Sequence, residues 1–507
     1  MAGLAGGGSI GSFVTSDSNL LPIYKYYYRD KPVESLFNRM SPVLKAIKWT
    51  RIGGKFYNFS AQVGRGGGIA SDFAVAVNNA ANMARNVEFS IAPGKLFACF
   101  NTNQLEIYGS ENGEMAYVKA AVDKLHATVE GVRQALAAAF YASGWGECGL
   151  TTTVASTGAA TLNVGYDTGI KLDIGDWIDI LVSPLTNVVP IPMATIANGG
   201  GSWDLGSSNY GYQITAIANN GTGYTLTLNQ NAGANWPVGS VVCRHASGAS
   251  SSTATSIMGL AGWLPSWDSR GTNGLGSAAT YWASYMGTPF ASVTRNVNTD
   301  KLAGQWYGRQ GTYGTGTYPY VSGVSSYDRY IDAVTVGIRL ARRGGCSNED
   351  ILIAINDEDF FRISAELLAA TTYMQMVNTS DKKNKEHVQR GIESFDIDFS
   401  TSGTRNIYDD PYCPKGTCYI LDKDCVEFVV LSNPQAARSN GVAENEPGIE
   451  PVEATGDFDK AFKLIIDDFL FNAPVTNSPD GPAMLTCIGI YGNFVVHNPA
   501  HCCVVTF

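Results

Sequence analysis

Charge is scarce in this chain. Asp, Glu, Lys and Arg make up 16% of its 507 residues, against about 25% in an ordinary globular protein. A surface so short of charge, in a chain with 56 glycines, 25 tyrosines and 21 phenylalanines, is hard to keep soluble as a lone monomer. An oligomer is therefore expected. Positive charge is scarcer still: 35 Lys and Arg stand against 45 Asp and Glu, a net charge of -10. That is the wrong sign for a protein whose main work is to grip phosphate. With only five histidines, no Ser/His/Asp or Cys/His arrangement can be argued. Ten cysteines lie scattered, without the density of a secreted disulfide scaffold, which predicts ten reduced thiols in a cytosolic setting. Runs of about 18 apolar residues are absent, so no membrane-spanning helix is expected. The opening residues, MAGLAGGGSIGSF, have neither the basic nor the apolar region of an export signal.

What is present is a 45% hydrophobic share, which excludes bulk disorder and leaves room for about three or four domains. Residues 1–42 read as an extended arm, glycine-rich and then YKYYYRD, without helical or alternating periodicity. Residues 43–101 read as a β-ribbon. AIKWTRI and KFYNFSAQV look like strands joined at Gly53-Gly54, and GRGGG from Gly64 to Gly68 breaks the pattern. After a polar, alanine-rich stretch Val87, Phe89 and Ile91 alternate, Pro93-Gly94 turns the chain, and Leu96, Ala98 and Phe100 return. Alternation without an evident core predicts that neighbouring subunits cover this ribbon.

Residues 114–143 carry Val118, Val122, Leu125, Val129, Val132 and Leu136 at spacings of 4, 3, 4, 3 and 4. This is one amphipathic helix, roughly 45 Å long at 1.5 Å per residue. It suits a coiled coil or a sheet-packed helix. Residues 150–256 form a charge-poor insertion bracketed by SGWGECG and SGASSSTATS. Its alternating Tyr212, Ile214, Ala216 and Tyr224, Leu226, Leu228 flank Asn220-Gly221 and predict a small β-barrel or sandwich. Beyond residue 326, Ile331, Val334 and Ile338 line a helix stopped by Gly344-Gly345, ILIAI is a buried strand, and Asn356 with Asp359 can cap the next helix. Tyr419–Leu421 and Val426–Leu431 read as a hairpin across Asp422-Lys423-Asp424, and the tail is strand-rich. The fold class is α+β.

Catalytic and metal motifs find little support. Gly6, Gly8 and Gly11 fit a dinucleotide G-x-G-x-x-G in spacing, yet no strand precedes them and no βαβ unit follows. Phosphate-binding and nucleophile-elbow motifs are missing. Cys413, Cys418 and Cys425, and His497, His501, Cys502 and Cys503, invite a zinc reading. Adjacent strand residues point to opposite faces, however, so these thiols read as buried ones. Asp167, Asp173, Asp176 and Asp179 lack calcium-loop spacing and read as turn residues. His126 reads as packing or solvent-exposed, and Lys382, Lys383 and Lys385 as a solvated loop. No catalytic residue, cofactor or metal is expected.

The order of these segments resembles the tailed-phage major capsid protein family with the Hong Kong 97 fold. SPVLKAIKWTRIGGKFYNFSAQVGRGGG is similar to that family's extended loop (E-loop), and the helix of residues 114–143 to the spine helix of its peripheral (P) domain. YDTGIKLDIGDWIDIL through SVVCRH resembles the β domain inserted in some members, and AVTVGIRLARRGGCSNEDILIAINDEDFFRISAEL the start of the axial (A) domain. The resemblance implies an arm over 1–42, an E-loop over 43–101, P domain over 102–149 and 257–326, an insertion over 150–256, an A domain over 327–455 and a returning tail over 456–507.

By the same resemblance the chain is a structural protein, not an enzyme. It assembles as pentamers and hexamers into the icosahedral shell of a virion, built in the host cytoplasm, that encloses DNA without sequence-specific binding or membrane contact. Implied partners are further copies of itself, a portal protein, and separate scaffolding and decoration proteins. The ribbon begins near residue 43, which leaves no room for a built-in scaffolding segment. No Lys–Asn cross-link is expected. Arg51, Arg65, Gly66, Gly67, Phe89 and Ile91 are the expected subunit-interface residues. The competing reading is a β-rich carbohydrate-binding adhesin or surface-layer protein, against which the missing export signal counts.

Overall fold

The computed structural model describes residues 41–52, 56–64, 68–79, 86–103, 120–144, 146–154, 158–181, 212–231, 240–244, 256–264, 291–293, 295, 301–308, 330–347, 351–365, 394–398, 404–431, 470–475 and 483–507. Gly6, Gly8, Gly11, Arg65, Gly66, Gly67, Lys382, Lys383 and Lys385 lie outside this set, as does nearly all of the expected arm. Helix and sheet are mixed, and no described helix is long and apolar enough to cross a membrane.

The first of two large sheets is organised by the 14-residue strand Ala483–Val496. One edge pairs antiparallel with Gly94–Asn103 over ten residues. The other edge is shared, by Leu470–Val475 along its first half and by Val426–Leu431 along its second. Lys48–Ile52 adds a parallel strand outside Val426–Leu431. The helix Ala120–Phe140 lies on this sheet, with Val132, Leu136 and Phe140 buried in one cluster with Phe428, Ile490 and Phe494. Phe140 meets Phe494 edge-on at 4.9 Å. The stripe of branched side chains thus faces a sheet, not a coiled-coil partner, because the sheet offers a wider apolar surface than a second helix does.

The second large sheet runs Gln305–Gly308, Cys503–Thr506, Thr417–Asp422, Ile351–Ile355, Thr404–Asp409 and Ser394–Asp398 in spatial order. All five residues of Ile351–Ile355 are buried. The helix Tyr330–Gly344 covers the sheet through Val334, Ile338 and Ala341. Residues 357–365 are helical, and Asn356 caps them by accepting from Glu358 N at 3.1 Å. The Asp359 carboxylate instead accepts the amide of Gly416, in the turn before Thr417–Asp422.

The insertion is a closed barrel with its own core, centred on Leu162, Ile178, Ile180, Tyr212, Ile214, Leu226 and Val242. Its six strands run Glu147–Leu150, Val241–Arg244, Trp177–Leu181, Tyr212–Asn219, Tyr224–Leu228 and Thr161–Val164. A bridge from Thr151, just after the first strand, to Val164 on the last brings the two ends of the sheet together. Asp179 was expected in a turn, but it lies fully buried on a barrel strand.

Three sequence expectations fail, each for a non-local reason. Lys48–Ile52 does not form a hairpin with Tyr57–Gln62 across Gly53-Gly54: it joins the first sheet, and Tyr57–Gln62 pairs with Asn86–Ile91. Gly94–Asn103 leaves the ribbon for the same sheet. Thr417–Asp422 and Val426–Leu431 are not a hairpin either, since Asp422 ends in the second sheet and Val426 begins in the first. In each case the strand that pairs lies elsewhere in the chain, not in the adjacent segment. The cysteine expectation fails as well. Cys99 and Cys487 face each other in register across two antiparallel strands and form a disulfide, which leaves eight free thiols.

Candidate subunit interface

The ribbon Tyr57–Gln62 with Asn86–Ile91 has a packed root and an uncovered tip. At the root Phe59 stacks on Phe89 with ring centroids 5.1 Å apart, and Trp263 lies against both at 6.0 Å and 5.3 Å. The indole is held from behind, since its Nε1 donates to Phe494 O at 2.8 Å. Ser90 N donates to Ala291 O at 2.9 Å. Phe89 is fully buried and Ile91 nearly so, both within the chain's main core. Neighbouring subunits are therefore not what covers Phe89 and Ile91, and the expectation that they form the interface is corrected. The cover comes from Trp263, more than 170 residues along the chain.

A polar clamp holds the ribbon's first strand. Glu427 accepts from Tyr57 Oη at 3.0 Å, from Thr50 Oγ1 at 3.0 Å and from His497 Nε2 at 2.7 Å. Burial alone raises the Glu427 carboxyl, but His497 and the two hydroxyls outweigh it and hold the group below its ordinary value. Burial and the facing carboxylate together push the Tyr57 phenol up. The clamp ties ribbon, first sheet and tail together. Arg51 sits on the strand beside Glu427, with its backbone in the first sheet rather than the ribbon.

Between the two ribbon strands the chain carries the helix Phe73–Asn79, FAVAVNN. Asp72 starts it, its carboxylate accepting from Val75 N at 3.1 Å. Phe73, Val75 and Val77 are all exposed, Phe73 by 84%, and nothing in the helix is buried. Ile69 and Phe56 are exposed nearby. A helix with this many apolar residues is normally packed against something, and among the described residues none of this one is buried. Sequence reasoning passed over it as a polar, alanine-rich stretch. The signal was Asp72 followed at once by an apolar run.

Neither a protein-family model nor a curated protein matches the chain. Solved structures do. A chain of the cyanophage A-1(L) capsid asymmetric unit is similar over 97% of this chain and 99% of its own, at 11% identity and a TM-score of 0.50. A chain from the capsid of a native GTA particle covers 98% and 99% at 8% identity and a TM-score of 0.41, and one from Mycobacterium phage Bobi 97% and 98% at 8% and 0.35. The fold assignment rests on the cyanophage match. This arrangement of two large sheets, a sheet-packed helix, a barrel and a ribbon thus shares its fold with a chain of the cyanophage A-1(L) capsid.

Proposed function

We propose that this chain is the major capsid protein of a tailed double-stranded DNA phage, many copies of which close into an icosahedral shell around the genome. The observation that carries the proposal is the helix Phe73–Asn79, in which Phe73, Val75 and Val77 are exposed and no residue is buried. It stands on a ribbon whose root is locked into the subunit. Such a tip gains from lying on a second copy of the chain, roughly 25 cal/mol for each Å² of apolar surface it covers. The ribbon is then the E-loop, the helix Ala120–Phe140 the spine of the P domain, the second sheet the A domain and the barrel the inserted domain. Arg51, Arg65, Gly66 and Gly67 remain proposed interface residues, joined by Ile69, Phe73, Val75 and Val77. Residues 1–42 act as an arm ordered by neighbours.

Pentamers and hexamers require the same contact at slightly different angles. A rigid root with a separate tip supports that. The role is structural, with no catalytic step, and a net charge of -10 suits a container that holds DNA without gripping it. Portal, scaffolding and decoration proteins are the further partners proposed, and the virion, assembled in the host cytoplasm, is the proposed location. Negative-stain imaging of the expressed protein tests the reading. Closed shells or capsomer rings are expected. A chain that stays monomeric at high concentration, with any scaffold supplied, overturns it.

A further inference from the structure

The chain passes twice between its two large sheets, and the two crossings lie side by side. The first runs from Asp422, the last residue of Thr417–Asp422, to Cys425, just before Val426–Leu431. The second runs from Val496 through the turn Pro499–His501 to Cys503. His497 N donates to Cys425 O at 2.9 Å and binds one crossing to the other. Three side chains of metal-ligating type meet there. Asp422 Oδ2 lies 2.8 Å from His501 Nδ1 and 3.2 Å from Cys425 Sγ, and Sγ lies 3.6 Å from Nδ1.

The site is built rather than accidental. The other oxygen, Asp422 Oδ1, accepts from Asp424 N at 3.1 Å, which tightens the turn and leaves Oδ2 for the cluster. His501 reaches it because the helix Tyr330–Gly344 ends in two glycines. A Cβ on Gly344 would stand 1.7 Å from Ala500 O, and one on Gly345 2.8 Å from His501 Nε2. Gly345 also has φ +115°, a conformation that other residues adopt only with strain. Gly344-Gly345 therefore both stops a helix and admits the turn that carries the imidazole.

A catalytic Cys-His-Asp relay is a different geometry. It sets the thiol and the carboxylate on opposite ring nitrogens, whereas here both converge on Nδ1. Burial and the Asp422 carboxylate also push the Cys425 thiol up, which is the reverse of nucleophile activation. Convergence of sulfur, nitrogen and oxygen on one point is what a tetrahedral cation needs. Bond lengths of about 2.3 Å to sulfur and 2.0 Å to nitrogen and oxygen put such donors roughly 3.3 to 3.6 Å apart. Two of the observed separations, 3.2 and 3.6 Å, are near that range. The third opens by about half an ångström once a cation replaces the hydrogen bond.

We propose that Asp422, Cys425 and His501 form a binding site for a divalent transition metal, fitted to Zn²⁺, with solvent completing the coordination. Thiolate, imidazole and carboxylate together are a donor set for zinc rather than for magnesium or calcium. The residues suit a fourth, solvent-filled position because Cys425 and His501 are partly exposed while Asp422 is buried. On binding, the cation takes the place of the Cys425 thiol proton, which leaves to solvent, and of the proton between His501 Nδ1 and Asp422 Oδ2, which the imidazole then carries on Nε2. It staples the two crossings, and so the two sheets. The site stands or falls without reference to shell formation.

The test uses the full chain, reduced with a phosphine, and Co²⁺ as a spectroscopic substitute for zinc. A sulfur-to-metal charge-transfer band and the visible bands of a tetrahedral site are expected, and Zn²⁺ abolishes both. Cys425→Ser removes the charge-transfer band, while Cys148→Ser, in the barrel, keeps it. Asp422→Asn weakens Co²⁺ binding by more than the roughly 10- to 100-fold that loss of an outer-shell partner costs. If a variant fails to fold, wild-type protein suffices: Zn²⁺ is expected to protect Cys425 from alkylation, read by peptide mass spectrometry. Absence of the band in Co²⁺ excess, a band surviving in Cys425→Ser, or unprotected Cys425 each overturns the site.

Discussion

Phe89 stacks on Phe59 with ring centroids 5.1 Å apart and planes 20° from parallel. The aromatic face of the ribbon is thereby closed inside the subunit that bears it. Adhesion between subunits and stability of the subunit then belong to different residues, and substitution separates them.

Phe89→Ala is expected to destabilise the unassembled subunit by about 3 to 5 kcal/mol, the usual cost of emptying a buried phenylalanine site. Phe73→Ser, at an exposed position, is expected to change stability by less than about 0.5 kcal/mol while sharply lowering particle yield. Denaturant midpoints and particle counts measure the two. Equal stability losses would show that the tip, too, is packed within the subunit.

Thiol titration in denaturant, without reductant and after oxidation in air, is expected to find eight free groups, and ten after reduction. Cys487→Ser brings the unreduced count to nine of nine, with Cys99 now reactive. A count of ten in unreduced wild-type protein would mean that Cys99 and Cys487 stand opposed but unbonded.

The Glu427 carboxyl is held below its ordinary value of 4.5 in the folded chain. A depressed acid contributes stability that is fully present above its unfolded value and is lost as pH falls through the folded one. The loss attributable to Glu427 therefore begins as the pH drops below about 4.5 and deepens from there. Glu427→Gln is expected to flatten that acid limb. Melting temperatures over a pH series decide it. Parallel curves for the two proteins would refute the clamp as an acid-sensitive element.

The barrel begins with Glu147–Leu150 and closes through the Thr151–Val164 bridge. A fragment of residues 144–246 is accordingly expected to melt cooperatively. One beginning at residue 150, the boundary that composition suggested, lacks most of a strand that pairs with Val241–Arg244 and is expected to unfold broadly or not to fold at all. Circular dichroism of both fragments makes the comparison. Identical melts would place Glu147–Leu150 outside the folding unit.

Local periodicity alone was enough to read the helix carrying Val132 and Leu136, the buried ILIAI strand, the stop at Gly344-Gly345 and the Tyr212 and Tyr224 strands of the insertion. The order of these elements was enough to suggest the fold. These features depend on contacts a few residues apart or on one-dimensional patterning, which a sequence displays directly. Partner choice is different, because every strand edge offers the same backbone groups, and packing across the whole chain selects among them. Asp422-Lys423-Asp424 looks like a hairpin turn and is a sheet-to-sheet passage. The residues that matter most are joined across the chain: Cys99 to Cys487 over 388 positions, Asp422 to His501 over 79. The exposure of Phe73 likewise follows from what fails to cover it, and only the packing of the whole subunit settles that.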